Sequence, residues 1–290
     1  MPSAEFASVL EMLRAMPPVA GDTIEEMRAT MAASTGVMPI PDDVRFEPVD
    51  AAGVPAEWAI APEAGSEGVI VYFHGGGYVS GSVSTHRLLV ADLSRACGAP
   101  VLSVDYRLGP EHPFPAAVED AVRAYGFVRQ RGTPPARIAF GGDSAGGGLT
   151  VAALVALRER GEPLPAGGFC ISPWLDLSLS GPSMDTKEPV DPMLDRKRLG
   201  IMARGYLAGQ DPRTPLASPL FADLAGLPPL LVHVGSAEVL LDDSTRFAER
   251  ARQAGIDVEL EVGRTWFTTG TRSRWCCRRA ARPSNGSAPS

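Results

Sequence analysis

Ser144 stands at the centre of Gly142-Asp143-Ser144-Ala145-Gly146, after the apolar run Ile138-Ala139-Phe140 and before the helix-prone run Leu149 to Arg160. A serine flanked by glycines at a strand-to-helix turn is the pattern that exposes a hydroxyl for attack on a carbonyl, and the chemistry it implies is acyl transfer. The glycines let strand and helix come close, and a helix starting near Ala145 aims free N–H groups and its positive dipole end at the serine. A lone pentapeptide of this kind occurs by chance; the strand before it and the helix after it give it weight. A second glycine cluster, His74-Gly75-Gly76-Gly77, follows the apolar run Val69-Ile70-Val71-Tyr72-Phe73. Unhindered backbone N–H groups after a strand can bind the oxyanion of a tetrahedral intermediate. A phosphate-binding loop is the competing reading, and it fails because no Gly-Lys-Ser/Thr follows. Attack by serine also needs a base to take its proton, and the chain has four histidines.

These groups need a scaffold, and the rest of the chain supplies one. With 290 residues, 44% hydrophobic and 21% charged, the chain has ample core. A net charge of −7 argues against nucleic acid and anionic membrane as partners. No apolar run approaches the ~20 residues of a membrane span. The N-terminus lacks the basic and apolar regions of a signal peptide, so a cytoplasmic location is expected. The four cysteines have no metal-ligand spacing, and Cys97 and Cys170 read as small buried hydrophobes. Strands are expected at 44–49, 56–61, 68–73, 100–104, 137–141, 167–171, 229–235 and 257–262. Helices are expected between them at 84–97, 115–131, 145–160, 195–207 and 241–254. Such alternation means parallel strands with crossover helices on both faces, the first two strands being antiparallel edge strands. Residues 4–15 and 23–34 read as further helices, with Leu10, Leu13 and Met16 on one face and Thr23-x-x-Glu26 as a capping box. Residues 178–194 break the rhythm with Gly181-Pro182, Pro189 and Asp191-Pro192 and read as an insertion.

Taken together, the motifs resemble those of the hormone-sensitive-lipase-like, or family IV, carboxylesterases of the α/β-hydrolase superfamily. The stretches that carry the resemblance are His74-Gly75-Gly76-Gly77-Tyr78, Ser84-Thr85-His86-Arg87, Asp105 to Ala116 (Asp-Tyr-Arg-Leu-Gly-Pro-Glu-His-Pro-Phe-Pro-Ala), Gly142 to Gly147 and Ser172-Pro173-Trp174. It covers residues 1 to about 262 and implies an α/β-hydrolase fold: a mostly parallel eight-stranded sheet, helices on both faces and a helical cap. The cap would come from residues 1–40 and an insertion at about 178–206 within a core of 41–262. The implied activity is hydrolysis of short-chain acyl esters with no cofactor and no metal. The implied partner is a small-molecule ester, and a homodimer is possible. Ser144 would be the nucleophile, with the N–H groups of Gly76, Gly77 and Ala145 as the oxyanion hole. Gly75 would permit the turn, His74 would organise the loop, Asp143 would support the site, and Asp105-Tyr106-Arg107 would support the nucleophile turn. The family places its acid three residues after the glycine that ends the strand Leu230 to Gly235, which is Glu238 here. A carboxylate just past a strand end is where an acid can orient an imidazole. Asp242 and Asp243 better suit the start of the following helix. An amidase or lactonase shares this logic, and a non-catalytic small-molecule binder of the same fold is the alternative from another class.

One partner is missing. The family's histidine should follow Val262, and residues 263–290 contain none. His74 and His112 belong to structural motifs, His86 lies in the helix after the glycine loop, and His233 lies inside a strand. The tail is also compositionally foreign: six Arg, no Asp, Glu or Lys, two of the four Trp and two of the four Cys. From Arg272 onward it has no apolar period and reads as disordered. A frameshift would account for this, with a genuinely divergent tail as the alternative. If Val262 to Thr271 are encoded GTC GGA AGG ACA TGG TTC ACC ACT GGC ACT, one T inserted before GGA restores Val-Trp-Lys-Asp-Met-Val-His-His-Trp-His. That stretch resembles the Asp-x-x-His segment the family carries. The expected result of sequencing the coding DNA is a set of codons compatible with this shift; incompatible codons exclude it.

Overall fold

The computed structural model describes residues 22–33 and 39–263. The expected helix at 4–15 and the tail from residue 264 lie outside them. Eight strands form one sheet in the order β1-β2-β4-β3-β5-β6-β7-β8. They are β1 (Arg45–Asp50), β2 (Pro55–Ile60), β3 (Val69–Phe73), β4 (Val101–Val104), β5 (Ile138–Asp143), β6 (Gly167–Ile171), β7 (Leu230–Gly235) and β8 (Val258–Gly263). β1 pairs antiparallel with β2 and β2 with β4, and all other pairs are parallel. Two details differ from expectation. β2 is not an edge strand, because its other side pairs with β4. Gly263 belongs to β8, not to the tail: it pairs with Gly235, and its carbonyl accepts from Ser236 N–H at 2.8 Å.

The strand sequences explain their places. β4 is buried throughout and β3 almost so, as their continuous apolar runs require of strands covered on both faces. β1 and β8, with charged residues along them, stand at the edges. On one face lies α2 (Arg87–Cys97), whose Val90, Ala91 and Leu93 pack with Ile70, Tyr72, Val101 and Phe169. The other face carries α3 (Ala116–Gln130), α4 (Ala145–Glu159) and α7 (Leu241–Gln253) over the larger core. α4 is buried all round from Ala145 to Leu157, as a helix apolar on every side must be. The expected helix 84–97 divides: Ser84–His86 form a tight 3₁₀ turn before α2 begins.

Three helices lie outside the sheet layers: α1 (Ile24–Ala33), α5 (Ser183–Thr186) and α6 (Arg196–Leu207). α1 begins with the expected capping box. Glu26 N–H donates to Thr23 Oγ1 at 3.2 Å, and Glu26 Oε2 accepts from the N–H groups of Asp22 and Thr23 at 2.9 and 3.2 Å. Cys170 is buried and free as expected, whereas Cys97 is half-buried and enters a disulfide. Cys97 still packs against the smaller core at the end of α2, so the reading as a buried, unmodified hydrophobe holds in full for Cys170 alone. Among the described residues no helix is long and apolar enough to cross a membrane.

Replacing Thr23 with Ala removes one half of the capping box and should cost about 1 kcal/mol. Faster amide exchange in Ile24–Ala33, with the sheet unchanged, is the expected readout.

Candidate active site

Parallel strands deliver their C-terminal ends to one edge of the sheet, and ligands bind along that edge in open α/β sheets. Register fixes who meets there. Phe73 pairs with Gly142, Asp143 with Ile171 and Ile171 with His233. The residues just beyond are the glycine loop after β3, Ser144 after β5, Ser172-Pro173-Trp174 after β6 and the 236–240 turn after β7.

Ser144 has φ 52° and ψ −118°, a conformation that L-residues avoid and that costs about 1–3 kcal/mol. Three hydrogen bonds hold it there, each worth about 1 kcal/mol net. Ser144 N–H donates to Ile171 O at 2.9 Å, while Ser144 O accepts from Trp174 N–H at 2.9 Å and Gly148 N–H at 3.1 Å. The glycines leave room for the turn. A Cβ at Gly146 would lie 1.9 Å from Phe73 O, and one at Gly142 would lie 2.3 Å from Gly146 O. Ser144 is half-buried between buried neighbours Asp143 and Ala145, so the residue keeps access to the outside.

The glycine loop turns back through Gly76 (φ 119°), Gly77 (φ 63°) and Tyr78 (φ 63°). Gly76 O accepts from Val79 and Ser80 N–H and from Ser80 Oγ, which turns the loop tightly. The N–H groups of Gly76 and Gly77 donate to no acceptor among the described residues. Ala145 opens α4, so its N–H has no intrahelical acceptor. Three N–H groups with no internal acceptor, at the end where Ser144 opens, suit the binding of a developing negative oxygen.

Asp143 joins the loop to the serine turn. Its Oδ1 accepts from Gly75 N–H at 2.9 Å and Tyr72 Oη at 2.7 Å, and His86 Nε2 lies 3.5 Å from Oδ2. Burial raises the Asp143 pKa, but the charge and hydrogen bond of His86 and the hydroxyl of Tyr72 outweigh it and leave the carboxyl below its usual range. For His86 burial pushes down, and Asp143 more than reverses it. His74 is fully buried, stacked on Tyr106 at 4.3 Å, and pushed down to about 3 by burial and then by His86. It is neutral and serves the loop, its Nδ1 lying 2.7 Å from Gly75 O. Tyr106 Oη donates to His74 O at 2.6 Å, so this tyrosine supports the glycine loop rather than the serine turn. Arg107 pairs instead with buried Asp120 at 2.9 Å.

Glu238 is buried just past β7, and its Oε1 accepts from Gly235 N–H at 2.8 Å. The competing acids have other work. Asp242 Oδ2 accepts from Ser183 N–H at 2.6 Å, tying the inserted segment to α7. Asp243 is buried, and its Oδ2 accepts from the N–H groups of Leu175 and Asp176 at 2.7 and 2.9 Å. That loop carries Trp174, which holds Ser144 O. Asp191 Oδ2, in the insertion, accepts from Val239 N–H beside Glu238 at 2.9 Å.

None of the four histidines hydrogen-bonds to Ser144 among the described residues. His74 and His86 serve the glycine loop, His112 is exposed, and His233 is buried 3.4 Å from Glu261 with its pKa lowered by burial. The roles of His86, Tyr72, Asp191 and Asp243 were not legible in spacing. His86 alone had a signal, as part of Ser84-Thr85-His86-Arg87.

Residues 70–266 match the model of a family described as having the alpha/beta hydrolase fold. The chain is 52% identical over 206 residues to an acetyl-hydrolase of Streptomyces hygroscopicus, covering 71% of this chain and 69% of that protein. It is 40% identical over 220 residues to an esterase of Acinetobacter venetianus, covering 76% and 72% respectively. A crystal structure of an esterase from the bacterial hormone-sensitive lipase family superposes with a TM-score of 0.86 at 50% identity, covering 91% of this chain and 89% of that one.

Burial, with the charge of Asp176, pushes the Asp243 carboxyl up to about 8. Unfolded, it ionises near ~4. Between those values the folded state binds the extra proton, so this group makes stability fall as pH rises. Asp243→Asn should remove that slope. The melting temperature of the variant relative to the parent should therefore improve from pH 5 to pH 8. A difference that stays flat with pH would mean that the buried carboxyl is ionised throughout.

Proposed function

Because this chain belongs to the hormone-sensitive-lipase-like carboxylesterases of the α/β-hydrolase fold, we propose that Ser144 is the nucleophile of a short-chain acyl-ester hydrolase whose catalytic base is absent from this polypeptide. The strained, half-buried Ser144 between Gly142 and Gly146 carries this reading. Its Oγ adds to the ester carbonyl as its proton passes to solvent water, and the N–H groups of Gly76, Gly77 and Ala145 receive the oxyanion. Collapse expels the alcohol, which must take up a proton to leave, and forms the acyl-enzyme; water then releases the acid. Glu238 is the acid that would orient an imidazole, and its burial beside Gly235 N–H supports that role. Helices α1, α5 and α6 form the cap over the pocket, supported by the seating of Met202 against Gly77.

Without an imidazole, nothing within the described site takes the Ser144 proton. The oxyanion hole and substrate binding still supply roughly 10³–10⁴-fold over water. A binding role is the second reading, favoured by the lack of any histidine on Ser144.

Hydrolysis of p-nitrophenyl butyrate by this chain and by a version with the tail restored in frame separates the two. The restored version should exceed this chain in kcat/KM by roughly three decades or more. Equal high activity in both would refute the missing-base proposal, and no activity in the restored version would favour the binder.

A further inference from the structure

The downstream half of the glycine loop is held by a residue that no motif marks. Arg28, on α1, reaches across to it. Its Nε donates to Val79 O at 2.7 Å, and its Nη2 donates to Gly109 O at 2.8 Å. Nη1 and Nη2 also donate to the two carboxylate oxygens of Glu111, at 2.7 and 2.6 Å. Gly109 N–H in turn donates to Tyr78 O at 2.9 Å, so the loop and the 109–111 segment already touch where the guanidinium joins them.

The loop needs such a restraint. Gly76, Gly77 and Tyr78 hold φ of 119°, 63° and 63°, and for a tyrosine that conformation is strained. On one side α6 supplies the restraint by packing: Tyr206 stacks on Tyr78 at 4.0 Å, and a Cβ at Gly77 would lie 2.2 Å from Met202 Sδ. On the other side Met27 of α1 shares the core cluster of Tyr78 and Val79, but among the described residues the packing is incomplete. A cleft of about 230 Å³ opens between α1 and the loop, lined by Arg28, Met31, Ser80, Ser82, Thr85 and Leu108. Across it the guanidinium makes the polar connection. Its planar fork meets two carbonyls and a carboxylate at once, which a lysine ammonium on a flexible stem does not reproduce.

We propose that Arg28 is a positioning residue for the oxyanion hole: by fixing Val79 O it keeps the Gly76 and Gly77 N–H groups aimed at the carbonyl that Ser144 attacks. This rests on the reading of Ser144 as nucleophile. Arg28 touches no reacting atom, and it makes α1 a part of the catalytic geometry as well as a wall of the pocket.

The test uses the full chain with Arg28→Met, Arg28→Lys and Ser144→Ala, and it needs no turnover. The probe is n-butylboronic acid. The serine oxygen donates an electron pair to boron, its proton leaves to solvent, and the tetrahedral anion places an oxygen where the oxyanion would sit. The control is 4-nitrophenol, which only fills the pocket. Arg28→Met should weaken the boronate roughly tenfold, less than the loss of a whole oxyanion donor, while leaving 4-nitrophenol within about twofold. It should also speed amide exchange in residues 74–81, and Arg28→Lys should recover part of both effects. A Ser144-dependent boronate affinity that Arg28→Met leaves intact overturns this inference alone. Equal loss of boronate, 4-nitrophenol and thermal stability also overturns it, because that marks a purely structural role. Undiminished boronate binding by Ser144→Ala overturns the Ser144 reading and this inference with it.

Discussion

Three stretches of chain meet at the end of β5, two of them backbone against backbone and the third through the Asp143 carboxylate, and the site depends on that contact. The first turn of α4 presses on the end of β3, so closely that a Cβ at Gly146 would lie 1.9 Å from Phe73 O. The loop leaving β3 presses on Asp143, where a Cβ at Gly75 would lie 2.2 Å from Oδ2. Any side chain at either glycine would push the serine turn away from the glycine loop. Close-packed interiors do not absorb such a shift locally. The helix therefore starts where it must, and Ser144 is forced into its unusual φ and ψ.

A buried charge locks this contact. Asp143 would be costly in the core if left alone, and it is not: a backbone N–H, a tyrosine hydroxyl and His86 surround it. The same pair consumes one of the chain's few histidines. His74 is spent in another way, neutral and stacked under the loop it shapes. Burial decides both fates, and it explains why a count of histidines says little about bases. An imidazole that organises a loop is packed, and a packed imidazole does not swing to a serine.

Elements outside the sheet hold what the sheet presents. α6 lies against the glycine loop through Tyr206 and Met202, and α1 reaches the same loop through Arg28. The inserted segment grips the opposite end of the site. Asp191 takes Val239 N–H and Ser183 joins Asp242, both just after Glu238 in the chain. Asp243 links that turn to the loop whose Trp174 holds Ser144 O. The proposed nucleophile and acid are thus connected through backbone bonds to buried carboxylates, not only through the strands beneath them.

Local rules made much of this legible. All eight strands and the core helices follow from apolar period and turn chemistry. Ser144, the glycine loop and the capping box at Thr23 are contiguous motifs whose geometry is short-range. The lack of histidine in residues 263–290 is also a matter of sequence, because no fold can supply an imidazole from 28 residues that contain none. Long-range contacts could not be read in this way. The position of β2 inside the sheet depends on which strand it pairs with far along the chain, as in Ala56 with Val104. Arg28 meets Glu111 across a sequence separation of 83, and Asp176 meets Asp243 across 67. Nothing near an arginine or an aspartate in sequence says which carbonyl or N–H it will face. Motifs determined which groups are proposed to do the chemistry; only packing decided which charged side chains hold them in place, because a buried charge takes its partners from whatever the fold brings beside it.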